Sequence, residues 1–235
     1  MRRWVAAGAF ACITWTFGQP VEATELQLGL SRAIFAESYL AQEVSSRVNA
    51  LDQFSLAWQS PVGQVTQLAF SLTRTSYLLG DDYFPETKHR RQQTGLMVGS
   101  NRVFDLPNGS IALGLGYGLE VMQVENSANL PDDDPAFLFL PWQAFHGPSL
   151  LADLRFPVLG PVGLRLGMEW QPMVFAHLSD ARVAMPGYLT NVKVDPRVTL
   201  WGDRLSFGYA YQRMLGSGYD RSTSGFLATL SLLGI

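Results

Sequence analysis

From Ser110 to Glu125 the chain alternates with period 2. Ile111, Leu113, Leu115, Tyr117, Leu119 and Val121 fall on one side, Ala112, Gly114, Gly116, Gly118 and Glu120 on the other. Successive side chains of a strand point to opposite faces, so this spacing predicts a strand with one apolar and one small or polar flank. A helix would scatter both sets around its circumference, and the glycines would weaken it.

The same alternation returns along the chain. It predicts strands over 26–31, 54–59, 67–72, 150–156, 164–171, 191–200 and 204–212, with less regular ones near 93–105 and 224–235. Short connections carry turn residues: Ser60-Pro61-Val62-Gly63, Leu106-Pro107-Asn108-Gly109, Leu159 to Gly163, and Gly202-Asp203. Longer polar connections alternate with them, near 40–47, 79–92, 126–147, 176–190 and 214–223. Pro172 and Pro196 fall inside strands. Proline cannot donate to a ladder, so bulges are expected there.

Composition sharpens this pattern. The chain is 47% hydrophobic and only 16% charged, below the roughly 25% charged of ordinary soluble domains. Yet no stretch after Ala23 approaches the ~20 continuous apolar residues of a transmembrane helix. Arg2 and Arg3, an apolar run from Trp4 to Phe17 and the small-residue site Val21-Glu22-Ala23 have the layout of a cleaved secretory signal. Residues 1–23 are therefore expected to be a signal peptide and 24–235 one domain. The single cysteine, Cys12, lies in that leader, so a mature chain has no disulfide and no cysteine-based metal site. The net charge of −3 comes without a clustered basic face, which argues against nucleic acid as a partner.

An exported, apolar, strand-rich chain has two main options, a closed barrel in lipid or a secreted soluble β-domain that binds a small ligand. Aromatics near both ends of the apolar flank, Trp58 and Phe156 towards the short turns, Trp170 and Tyr211 towards the long loops, fit the interfacial girdles of a membrane barrel. The alternating strands, short turns and leader resemble the general class of bacterial outer-membrane β-barrel proteins. That resemblance implies an all-β, closed, antiparallel, up-and-down transmembrane barrel of about ten strands in the outer membrane of a Gram-negative-type bacterium. Its implied partners are outer-membrane lipids, lipopolysaccharide and the barrel-insertion machinery. The ending Leu232-Leu233-Gly234-Ile235 departs from the terminal aromatic of that class.

The polar flank carries Glu120, Asp153, Arg155, Arg165, Glu169, Lys193, Asp195, Arg197 and Arg204, four acids and five bases. Charges in a narrow bore need partners, so a salt-bridge network filling the lumen is expected. Its disruption, by Arg165→Ala for example, would open a restricted polar path in a porin-like way. Surface interaction through the loops is the other non-enzymatic role. Lys88 to Arg91 could meet lipopolysaccharide phosphates, and the aromatics of 125–147 could fold over the mouth. His177-Leu178-Ser179 resembles the His-x-Ser segment of outer-membrane lipid A deacylases, with Asp180 standing where that family has asparagine. The resemblance implies an acyl-ester hydrolase in which His177 activates Ser179 and Asp195 on the next strand orients it. The unbroken alternation puts all three on the inward flank. No phosphate-binding glycine loop or zinc motif is present, and neither cofactor nor metal is expected.

Overall fold

The computed structural model describes residues 24–39, 44–62, 66–79, 89–124, 142–178, 189–201 and 203–233. Residues 1–23, Lys88, Ser179 and Asp180 lie outside them. Ten strands follow one another: β1 Glu25–Tyr39, β2 Val44–Pro61, β3 Thr66–Leu79, β4 His89–Leu106, β5 Gly109–Val124, β6 Trp142–Leu159, β7 Val162–Leu178, β8 Leu189–Leu200, β9 Leu205–Gly216 and β10 Tyr219–Leu233. Each pairs antiparallel with the next, and β1 pairs with β10 from Glu25↔Leu233 to Tyr39↔Tyr219, so the sheet closes into a barrel. Closure satisfies the ladder without leaving an edge, the condition for a β-sheet in hydrocarbon.

The flanks point as the membrane reading requires. The apolar flank is outside: Leu30, Leu115 and Phe226 are 67%, 66% and 75% exposed, and Trp58, Phe156, Trp170 and Tyr211 face outwards with them. The polar and small flank lines the bore. A soluble barrel needs the reverse arrangement, with these side chains dry inside. Small residues inside allow close approach. A Cβ on Gly99 would meet the Leu115 carbonyl oxygen and Leu151 Cδ1, both at 2.9 Å.

Two prolines shape the wall. The β7 register shifts between Gln171 and Val174, next to Pro172. Pro196 pairs with Leu166 of β7, but the β8–β9 ladder passes from Val194↔Tyr211 to Arg197↔Gly208 without it. The strands are also longer than the alternation alone predicts. The expected long connection at 214–223 is a tight turn, Ser217-Gly218, with Gly218 at φ +82° between β9 and β10. The strands exceed the ~9–11 residues needed to cross a bilayer, and the excess lies on the long-loop side. There polar residues join the outward flank: Arg32, Asp52, Arg74, Thr94 and Arg213 stand among exposed apolar ones such as Ile34 and Leu215.

Candidate functional site: the filled bore and the outer rim

Near the short turns the bore holds a layer of ion pairs. Asp153 accepts from Arg155 at 3.1 Å and from Arg165 at 2.8 Å, and Arg155 reaches Asp203 at 3.6 Å. Asp195 pairs with Arg197, which donates to Thr229 Oγ1 at 3.4 Å. Glu25 accepts from Gln27 at 2.6 Å and Ser231 at 2.5 Å. Period-2 geometry explains the intrastrand pairs, because residues i and i+2 share a face.

Above this layer lies a polar chamber of about 300 Å³, with Glu169 and Lys193 among its walls. Glu169 accepts from Ser149 at 3.3 Å. An amide chain crosses three strands, from Gln212 to Asn191 Oδ1 at 3.2 Å and from Asn191 to Gln171 Oε1 at 2.7 Å.

Towards the long loops the bore is closed. Phe35, Leu51, Met122, Phe145, Leu189 and Met214 belong to one buried apolar cluster that draws side chains from β1, β2 and β5 to β10. Two ion pairs are set in it. Arg91 Nη1 meets Glu37 Oε2 at 2.5 Å with both side chains fully buried, and Tyr219 Oη donates to Glu37 at 2.7 Å. Arg221 meets Glu120 through two bonds of 2.5 and 2.7 Å while its guanidinium lies 5.1 Å over the Phe145 ring. Two parallel charge-assisted bonds are the strong form of such a pair.

Eight of the nine charged residues expected in the lumen line the bore. Arg204 does not: it is exposed in the turn before β9, and its carbonyl accepts from the Ser231 amide. Glu25, Glu37, Arg91 and Arg221 are also buried in the bore, at positions the alternation does not single out. The alternation Glu25, Gln27, Gly29, Ser31, Ala33, Phe35, Glu37 runs unbroken, but Arg32 interrupts the apolar series of the other flank. Arg91 reads as one residue of a basic loop, yet it is a buried bore residue on β4. Phe145, expected to fold over the mouth within a loop, is an inward residue of β6 stacked on Tyr219 at 5.8 Å between centroids.

The hydrolase constellation is parted. The bulge beside Pro172 shifts the β7 alternation, so His177 is exposed on the outer face, whereas Asp195 is buried in the bore. His177 Nε2 instead lies 2.8 Å from His146 Nε2, and His146 Nδ1 lies 2.5 Å from Tyr117 Oη. This outward hydrogen-bonded chain joins β5, β6 and β7. Among the described residues no group of three or more His, Cys, Asp and Glu side chains converges as a metal-ligand set.

No protein-family model matches this sequence, and no curated protein matches it. Among solved structures the chain is similar to the outer-membrane protease OmpT from Escherichia coli. The TM-score is 0.57 and the identity 14%, over 94% of this chain and 99% of that one. The β-domain of the Bordetella autotransporter BrkA gives a TM-score of 0.43 at 10% identity, over 91% and 99% of the two chains. The translocator domain of NalP from Neisseria meningitidis gives 0.42 at 11%, over 87% and 88%. At this identity the likeness to OmpT is one of fold and carries no activity with it. The chain thus has the closed, antiparallel, ten-stranded architecture of the bacterial outer-membrane β-barrels.

Proposed function

We propose that this chain is a non-enzymatic outer-membrane barrel, exported through the periplasm behind the 1–23 leader, that conducts nothing through its bore and acts from its long-loop end. The observation that carries the reading is the closure of the bore. A buried apolar cluster enclosing the Glu37–Arg91 and Glu120–Arg221 pairs lies across it, above a second layer of ion pairs. Water-filled channels belong to barrels of about 16 strands; ten strands leave a lumen that side chains can fill. The apolar exterior and outward aromatics support residence in a bilayer, with outer-membrane lipids as the immediate partners. Placing His177 and Asp195 on opposite sides of the wall removes the support for the hydrolase alternative.

The test is planar-bilayer recording on the refolded protein, together with fractionation of cells that express it. The expected results are no conductance steps and recovery in the outer-membrane fraction in a form whose gel mobility changes on heating. Stable unitary steps from the wild type would overturn the closed-bore reading. Recovery in the periplasm or medium without detergent would overturn the membrane reading.

A further inference from the structure

We propose that the outer wall from β6 to β10 and on over β1, β2 and β3 binds a phosphate-bearing, acylated lipid of the outer leaflet, with its acyl chains in a groove of the wall and its phosphate between Arg32 and Arg74. The proposal rests on the membrane reading above. The groove has a volume of about 1280 Å³, beyond the usual few hundred to 1,000 Å³ of small-molecule sites. Small outward residues, Ala228 and Pro196, leave its floor low. Phe207, Tyr209, Phe226 and Leu30 wall it, with Phe226 set edge-on to Tyr209 at 5.5 Å.

Its upper end has a different chemistry. Arg32 stands on the apolar flank of β1, between Leu30 and Ile34, and pairs in register with Phe226 of β10 and Asp52 of β2. Arg74 pairs in register with Phe54 of β2. A cation on the lipid side of a barrel costs up to ~2–4 kcal/mol at the bilayer midplane and little at the interface. Two arginines directly above an apolar groove therefore fit the depth where hydrocarbon gives way to headgroups. Among the described residues neither guanidinium is strongly engaged. Arg32 Nε is 3.9 Å from Asp52 Oδ1 with both side chains more than 70% exposed, and Arg74 reaches Gln92 at 3.4 Å. Asp52 offsets one of the two positive charges, so the trio keeps a net charge of +1 and accepts an anion. Arg213, also on the outer rim, is committed to Asp220 at 2.8 Å and is not counted. Guanidinium forks match phosphate geometry, and the hydrocarbon groove ending at them selects an amphiphile over a soluble anion.

The experiment uses the full barrel in phosphatidylcholine nanodiscs doped with bisphosphorylated lipid A, read by native mass spectrometry. The expected result is retention of doped lipid by the wild type and about tenfold less by Arg32→Ala/Arg74→Ala, the loss that follows from removing hydrogen bonds to a charged group. Ala228→Phe, which fills the groove floor, should also lower retention. Arg102→Ala, an outward arginine near the short turns that lies 5.2 Å over the Phe104 ring, should leave it unchanged. Inorganic phosphate in excess should not displace the lipid, and dephosphorylated lipid A should not be retained. Equal retention by the wild type and the double variant, or equal retention of the dephosphorylated lipid, would overturn the site while leaving the barrel reading intact. A wild type that cannot be inserted, shown by the absence of a heat-modifiable band in the same sample, would overturn both.

Discussion

The Glu37–Arg91 pair offers a stringent test of the closed bore, because its surroundings fix the size of the effect. Both side chains are fully buried, 2.5 Å apart, and Tyr219 adds a second donor to the carboxylate. Glu37→Ala leaves the Arg91 guanidinium inside an apolar cluster without this carboxylate. Breaking a buried pair from one side costs about 3–5 kcal/mol, more than the pair itself contributes over an apolar replacement. The double variant Glu37→Leu/Arg91→Met removes both charges, and its expected cost is near zero or slightly negative. The assay is reversible urea unfolding of the refolded barrel in lipid vesicles, with midpoint and slope compared across wild type, single and double variants. A single variant that loses less than about 1 kcal/mol, the worth of an exposed pair, would refute the reasoning. A double variant as unstable as the single would attribute the loss to packing instead of charge.

The two-layer closure gives an expectation about Arg165→Ala. The sequence alone suggests that this change opens the lumen, but the upper cluster around Phe35, Phe145 and Tyr219 remains in place, so bilayer recordings of the variant should stay silent; steps from it would show that the upper closure leaks. Gly99→Val should destabilise the barrel by about 2 kcal/mol in the same urea assay, because its side chain meets the backbone of β5 and Leu151, whereas an outward Leu115→Val should cost less than 1 kcal/mol; equal effects would contradict the inward assignment of Gly99. With His177 outside and Asp195 inside, purified barrel in vesicles should release no fatty acid by mass spectrometry, and release abolished by both His177→Ala and Asp195→Ala would restore the catalytic reading.

The wall was legible in the sequence because lipid and lumen impose opposite demands on alternate residues. The segment 110–124 shows this directly, with leucines and tyrosine against glycines, and its alternation is kept in β5. The bore charges Asp153, Arg165 and Asp195 were legible for the same reason. What was lost lies beyond the bilayer. Once a strand projects past hydrocarbon, its outer residues no longer need to be apolar, as Arg32 and Arg213 show, and the pattern that marks a strand fades. In the sequence the hairpin at Ser217-Gly218 therefore has the pattern of a long loop. The buried residues Arg91, Phe145 and Tyr219 accordingly sit in stretches whose pattern suggests loops. The orientation of His177 was lost for a different reason. One bulge inverts every later residue on its strand, and Pro172 marks where a bulge belongs without fixing how many residues it takes.

The most direct measurement is the depth-dependent accessibility of nitroxide spin labels along β5. With Cys12 replaced by serine the chain has no other thiol, so single cysteines at Leu113, Leu115 and Leu119 can be labelled cleanly in the vesicle-inserted protein. The expected outcome is frequent collision with oxygen, which concentrates in hydrocarbon, and rare collision with a water-soluble nickel chelate at all three outward positions. Ready access of the nickel chelate to these sites, with oxygen collisions suppressed, would mean that the leucine flank does not face lipid and would contradict the membrane barrel.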